Sequence, residues 1–90
     1  MKIEFNQAKR DATFKHRGID MARASEVFEG VTISIADIRF EYGDDRFITF
    51  GLLDTRMVVL AWTKRGSARR IISMRKANDR EQRKYRNRLD

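Results

Sequence analysis

The chain has no cysteine and no proline, and only five glycines and one histidine among its 90 residues. Without cysteine there is no disulfide framework, no thiolate metal site and no cysteine nucleophile, which suits a reducing compartment. With His16 as the only imidazole, a zinc centre is excluded in practice, and no glycine-rich loop suggests nucleotide binding. Adjacent Asp44 and Asp45 are compatible with a carboxylate-only magnesium site, although a solvated turn is the ordinary role of such a pair. No cofactor and no metal are therefore expected. No apolar run approaches the roughly 20 residues that span a bilayer. The start, Met1-Lys2-Ile3-Glu4-Phe5-Asn6, lacks the apolar stretch and small-residue cleavage site of a secretion signal. A cytoplasmic location with no membrane role is the expectation.

Positive charge is plentiful and unevenly placed. The net charge is +7; residues 1–54 carry eight basic and ten acidic side chains, whereas residues 55–90 carry twelve basic and three acidic. A basic half on a balanced remainder is the electrostatic footprint of a protein that meets a polyanion or an acidic partner. A hydrophobic content of 41% is enough for one modest core, so residues 1–90 are expected to form a single domain.

The hydropathy pattern changes period along the chain. Residues 2–5 alternate as a short strand. Asn6 caps a helix from Gln7, and Gly18 ends it in a left-handed conformation after Lys15, His16 and Arg17. Asp20 opens a second helix that Gly30 stops. Val31, Ile33 and Ile35 then alternate as a strand, which Ile38-Arg39-Phe40 extends or turns back. After a turn at Tyr42–Asp45, Arg46–Phe50 is a strand that Gly51 should end. Arg56–Thr63 is the most apolar strand and the expected centre of the sheet. Lys64–Ser67 turns the chain into a last strand, Ala68–Met74. Asn78 and Glu81 form a capping box at the start of a final helix with Tyr85 and Leu89 on its apolar stripe. The predicted fold is α+β: a short N-terminal strand, two helices, an antiparallel meander and a C-terminal helix.

RNA can be cleaved without a metal if the 2′-hydroxyl loses a proton, the pentacovalent phosphate is stabilised and the 5′ oxygen is protonated. Arginine suits the second task, because its planar fork matches phosphate oxygens. Arg46, Lys64, Arg65, Arg69, Arg70 and Arg75 all fall near strand ends. Regular alternation would put Arg69, Ile71 and Ser73 on one face of the last strand and Arg70, Ile72 and Met74 on the other. His16 is a candidate general acid or base, imidazole being the side chain that ordinarily exchanges protons near neutral pH, or a residue that merely closes its helix. Lys9, two turns earlier, shares that face as a candidate phosphate anchor. Tyr85 is a candidate phosphate ligand or a core residue, and Trp62 a core residue or a base-stacking platform. Arg83 on the arginine-rich last helix is a further candidate substrate contact.

Several segments carry a family resemblance. They are Phe5-Asn6-Gln7-Ala8-Lys9 followed by Lys15-His16-Arg17-Gly18-Ile19, the Val27-Phe28 helix end, Gly43-Asp44-Asp45-Arg46-Phe47, Val58–Thr63, Arg70-Ile71-Ile72-Ser73-Met74-Arg75-Lys76-Ala77 and Glu81-Gln82-Arg83-Lys84-Tyr85. In this order and spacing they resemble the BrnT toxins, whose Arg-Ile-Ile-Ser-Ala-Arg-x-Ala and Glu-Arg-x-x-Tyr segments the last two follow. The chain departs by inserting Arg17 between His16 and Gly18, by Asp44 for Glu and by Met74 for Ala. The resemblance implies a RelE-like fold, a type II toxin that degrades RNA and arrests translation, and a BrnA-like antitoxin through which alone the complex binds operator DNA. It further implies site roles for Arg46, Arg70 and Arg75, with Lys9, His16 and Tyr85 as weaker candidates and proton transfer assigned to His16 or Lys9. The alternatives that composition leaves open are a non-catalytic nucleic-acid-binding module and a protein-interaction module with a basic face.

Overall fold

The computed structural model describes residues 2–39, 41 and 43–89. Phe40, expected to extend or turn back the strand after Val31, and Tyr42, expected to open the following turn, lie outside the described residues. The elements are β1 (Lys2–Phe5), α1 (Gln7–Arg17), a 3-10 turn (Met21–Arg23), α2 (Ala24–Glu29), β2 (Ile33–Ala36), β3 (Arg46–Leu53), β4 (Arg56–Arg65), β5 (Ala68–Lys76) and α3 (Asp79–Leu89). The strands form one sheet in the order β1-β5-β4-β3-β2, with the apolar β4 in the middle.

Local chemistry sets the helix boundaries. The Asn6 side chain accepts the Lys9 N–H at 3.1 Å, and Gly18, at φ 70°, returns its N–H to the Phe14 carbonyl. Asp20 accepts from the Ala22 N–H and also holds Arg10 through two hydrogen bonds of 2.8 and 3.0 Å, tying α1 to the 3-10 turn. The second helix is thus a 3-10 turn that passes into one short α segment. At α3 the capping box is complete: the Glu81 N–H donates to Asn78 Oδ1 at 2.8 Å and the Asn78 N–H to Glu81 Oε1 at 2.9 Å.

Helices cover both faces of the sheet. On one face Met21, Ala24 and Val27 pack against Leu53, Val58, Leu60, Trp62, Ile71 and Met74. Trp62 is a core residue there, its indole N–H donating to Thr49 at 2.7 Å. On the other face Tyr85 and Leu89 of α3 pack against Phe50, Met57, Val59 and Ala77. An 11-residue helix covers only the part of that face near Met57 and Val59.

Four features depart from the sequence-based expectation. The meander of β2 to β5 is antiparallel, but β1 pairs with β5 in parallel, so the sheet is mixed. Gly51 does not end its strand. It lies inside β3, paired with Val58, and is glycine because α2 crosses there: a Cβ would sit 2.5 Å from Val27 Cγ1. β4 runs on through Arg65, leaving a tight Gly66-Ser67 turn with Gly66 at φ 60°. Finally β5 is not regular: Ser73 pairs with Ala61 but Ile71 with Trp62, so Ile72 is an extra residue at a bulge. The bulge reverses the facing of everything beyond it. Ile71 and Met74 share one face, and Arg70, Ser73 and Arg75 share the other.

Candidate active site

The register builds a grid on the half of the sheet that α3 leaves open. Arg75 lies beside Val59, Phe50 and Ile33 in one cross-strand row; Ser73 lies beside Ala61, Ile48 and Ile35 in the next; Arg70 lies beside Thr63 and Arg46 in the third. At about 3.4 Å per residue, the two arginine-bearing rows stand roughly 14 Å apart across the row of small and apolar side chains. Arg46, Arg70 and Arg75, remote in sequence, therefore frame one surface. A cleft of about 430 Å³ opens at the Arg75 end of this surface, floored by Ile48, Val59, Ala61 and Ser73 and walled by Asp37, Arg39, Arg75 and Glu81, with the Arg46–Arg70 row beyond its lining.

Each arginine is held differently. Arg75 donates Nη1 and Nη2 to the two carboxylate oxygens of Glu81 at 2.8 and 2.9 Å. Both line the cleft, but the Arg75 side chain stays 42% exposed and that of Glu81 18%, so the cation presents more of itself there than the acid. The hydrogen bonds from Arg75, helped by the Asn78 N–H, hold the Glu81 carboxyl below the usual range, and the same pairing raises Arg75. A carboxylate so satisfied is a poor proton acceptor. The end of the guanidinium is taken, but its Nε–Nη2 edge remains for an oxyanion. Arg46 reaches Asp44 at 3.3 Å. Arg70 is half-buried, makes no ion pair with a described residue, and has Glu4 beside it on β1. The positive charge of Arg39 bears on Arg75 from the β2 side, where Asp37 binds Arg39 through Nε and Nη2.

The other sequence candidates fall elsewhere. Lys9 and His16 are exposed on α1 and line a second concavity with Thr13, Ile72 and Ser73, where β5 has run past the end of β1. Ser73 belongs to both hollows, and His16 lines only the second. Arg17, which the sequence offered only as an insertion, donates to the edge carbonyl of Met74 at 3.1 Å. Lys64 and Arg69 sit on the opposite face of the sheet, over Phe47 and Phe28. Alternation places Arg65 on the cleft side of the hairpin end. Tyr85 is 8% exposed, with its ring centroid 4.3 Å from that of Phe50. Its ring is thus committed to the core. Arg83 is on the outer side of α3 with Asp79, Arg86 and Asn87, away from the cleft. Among the described residues no group of three His, Asp or Glu side chains could hold a metal ion, Asp44 and Asp45 included.

Sequence reasoning did not single out Asp37, Arg39 or Glu81 as site residues. The only visible signal was Glu81 at N3 of its capping box. With just Ala77 and Asn78 between β5 and α3, the first turn of α3 must lie beside the end of β5, where Arg75 is.

No curated protein matches the chain. A family model described as ribonuclease toxin, BrnT, of type II toxin-antitoxin system matches residues 5–81. That span includes the three framing arginines and the Arg75–Glu81 pair, and it shows that the chain belongs to the BrnT family of ribonuclease toxins.

Proposed function

We propose that this chain is a single-domain, RelE-like endoribonuclease that cleaves RNA without a metal and so inhibits translation in the cytoplasm. A BrnA-like antitoxin neutralises it, and operator DNA is bound only through that complex. The observation that carries the reading is the convergence of Arg46, Arg70 and Arg75 around one open floor. Fixed guanidinium groups stabilise charge as it develops on a pentacovalent phosphate. In this reading the 2′ oxygen attacks the adjacent phosphorus, the bond to the 5′ oxygen breaks, and a 2′,3′-cyclic phosphate and a 5′-hydroxyl result. Arg75 binds the non-bridging oxygens, Arg70 and Arg46, together in one row, hold a phosphate further along the strand, and His16, with Lys9 beside it, carries the proton over the strand edge at Ser73.

The test is incubation of the purified chain, freed of any partner, with labelled RNA in excess EDTA, beside Arg75→Ala shown to be folded. Cleavage by the parent and a loss of about 100-fold or more in the variant are expected. Salt-sensitive binding without cleavage would instead favour a basic nucleic-acid-binding module.

A further inference from the structure

The face of the sheet opposite the cleft carries a second cationic feature at the end of the β4–β5 hairpin. Lys64 and Arg69 are directly opposite each other on neighbouring strands, a like-charge arrangement that is ordinarily repulsive. Neither makes an ion pair with a described residue. Both rest on aromatic rings instead. The Arg69 guanidinium lies 4.1 Å from the Phe28 centroid and 5.1 Å from that of Trp62, and Lys64 Nζ lies 5.7 Å from Phe47. The rings brace one another, Phe47 stacked on Trp62 at 4.7 Å and Phe28 edge-on to Trp62 at 5.5 Å. Arg69 Nε is buried and finds no acceptor among the described residues. The rings hold these two cations in place by attraction to the ring faces, but they neutralise neither charge and accept no N–H bond. A pre-ordered, unneutralised pair of cations is what an anion site requires.

The feature adjoins the Arg46–Arg70 row across the hairpin end. On the other face of the same hairpin end alternation places Arg65 and Arg70, and Arg70 belongs to the row next to the floor of the cleft. Four cations thus border the hairpin end, two on each face, around the tight turn at Gly66. We infer that the Phe28–Phe47–Trp62 shelf with Lys64 and Arg69 is an RNA exosite: single-stranded RNA leaving the cleft past Arg70 crosses the hairpin end and lays its next phosphates on Lys64 and Arg69. The inference rests on the ribonuclease reading. The run of cations from the Arg46–Arg70 row over the hairpin end favours one polyanionic strand over a separate acidic protein.

The probes are two 2′-O-methyl RNAs, which bind but have no 2′-hydroxyl with which to cleave. One, of about four nucleotides, spans only the cleft, and one of about 20 nucleotides reaches the hairpin end. Affinities are measured across a salt series for the parent, Lys64→Gln, and Lys64→Gln combined with Arg69→Gln. The preference of the parent for the long RNA over the short one is expected to fall about tenfold in the double variant. The salt slope for the long RNA should become shallower by about 1.4, two contacts at about 0.7 each on a single strand. Lys64→Gln alone, which leaves the Arg69 stack intact, should show about half that slope change, and Arg69→Lys, which keeps the charge, should show little of it. An unchanged long-to-short preference would overturn the exosite, and equal losses on both RNAs would place the pair in the cleft instead. A parent that binds neither RNA would overturn the ribonuclease reading itself, a result distinct from either.

Discussion

Arg75 and Glu81 are joined by two parallel hydrogen bonds of 2.8 and 2.9 Å, and the same carboxylate accepts the Asn78 N–H at 2.9 Å. One side chain therefore caps α3 and aims a cleft-facing cation. The first turn of the helix and the last residues of β5 become a single rigid corner. Orientation of this kind belongs to geometry more than to affinity, because a guanidinium misplaced by about an ångström still attracts phosphate but no longer meets the transition state.

Glu81→Gln should therefore separate binding from turnover. The amide keeps part of the cap but loses the charge and one of its two acceptors. In single-turnover RNA cleavage the rate at saturation is expected to fall about tenfold or more while RNA affinity is unchanged or slightly higher. Glu81→Asp, which keeps the charge on a shorter stem, should recover part of that rate. A purely structural role would leave the rate constant intact in whatever fraction of the protein remained folded.

Acid should weaken the fold through the same pair. The folded-state carboxyls of Glu81, beside Arg75, and of Asp20, beside Arg10, are held below their ordinary values. A carboxyl depressed in the folded state contributes fully above its unfolded value, about 4, and the contribution is lost as pH falls through the lower folded value. Urea midpoints measured from pH 6 down to pH 2 should fall below about pH 4. Glu81→Gln should remove part of that slope while costing about 1 kcal/mol near neutrality for the weakened cap. An identical slope in parent and variant would count against the pair.

Tyr85 separates core from chemistry. Tyr85→Phe is expected to keep the cleavage rate and to shift stability by less than about 0.5 kcal/mol, since the ring stays against Phe50. Tyr85→Ala should cost about 3 kcal/mol or more by opening a hole in the second core. Loss of cleavage in a stable Tyr85→Phe protein would return the hydroxyl to the site.

The capping signals were legible because each is written in adjacent residues: Asn6 to Lys9, Gly18 to Phe14, Asn78 to Glu81. The central place of β4 was legible from its unbroken apolar run. The continuation of β3 through Gly51 was not, because it rests on pairing with β4, and the need for glycine there comes from Val27, 24 residues away in the chain. The facing of Arg70 and Arg75 was not legible either. Regular alternation sets Arg70 with Ile72 and Met74, and a single unpaired residue at Ile72 overturns it.

By itself the sequence determined the local elements, the unequal distribution of charge and, through motifs spread over most of its length, the family. Those properties depend on residue identities that lie close together or in a recognisable order. Only the tertiary structure decided which cations meet. Cross-strand register, the β5 bulge and the two-residue step into α3 are products of long-range packing, and they put Arg46, Arg70 and Arg75 on one face, Lys64 and Arg69 on the other, and Glu81 against Arg75.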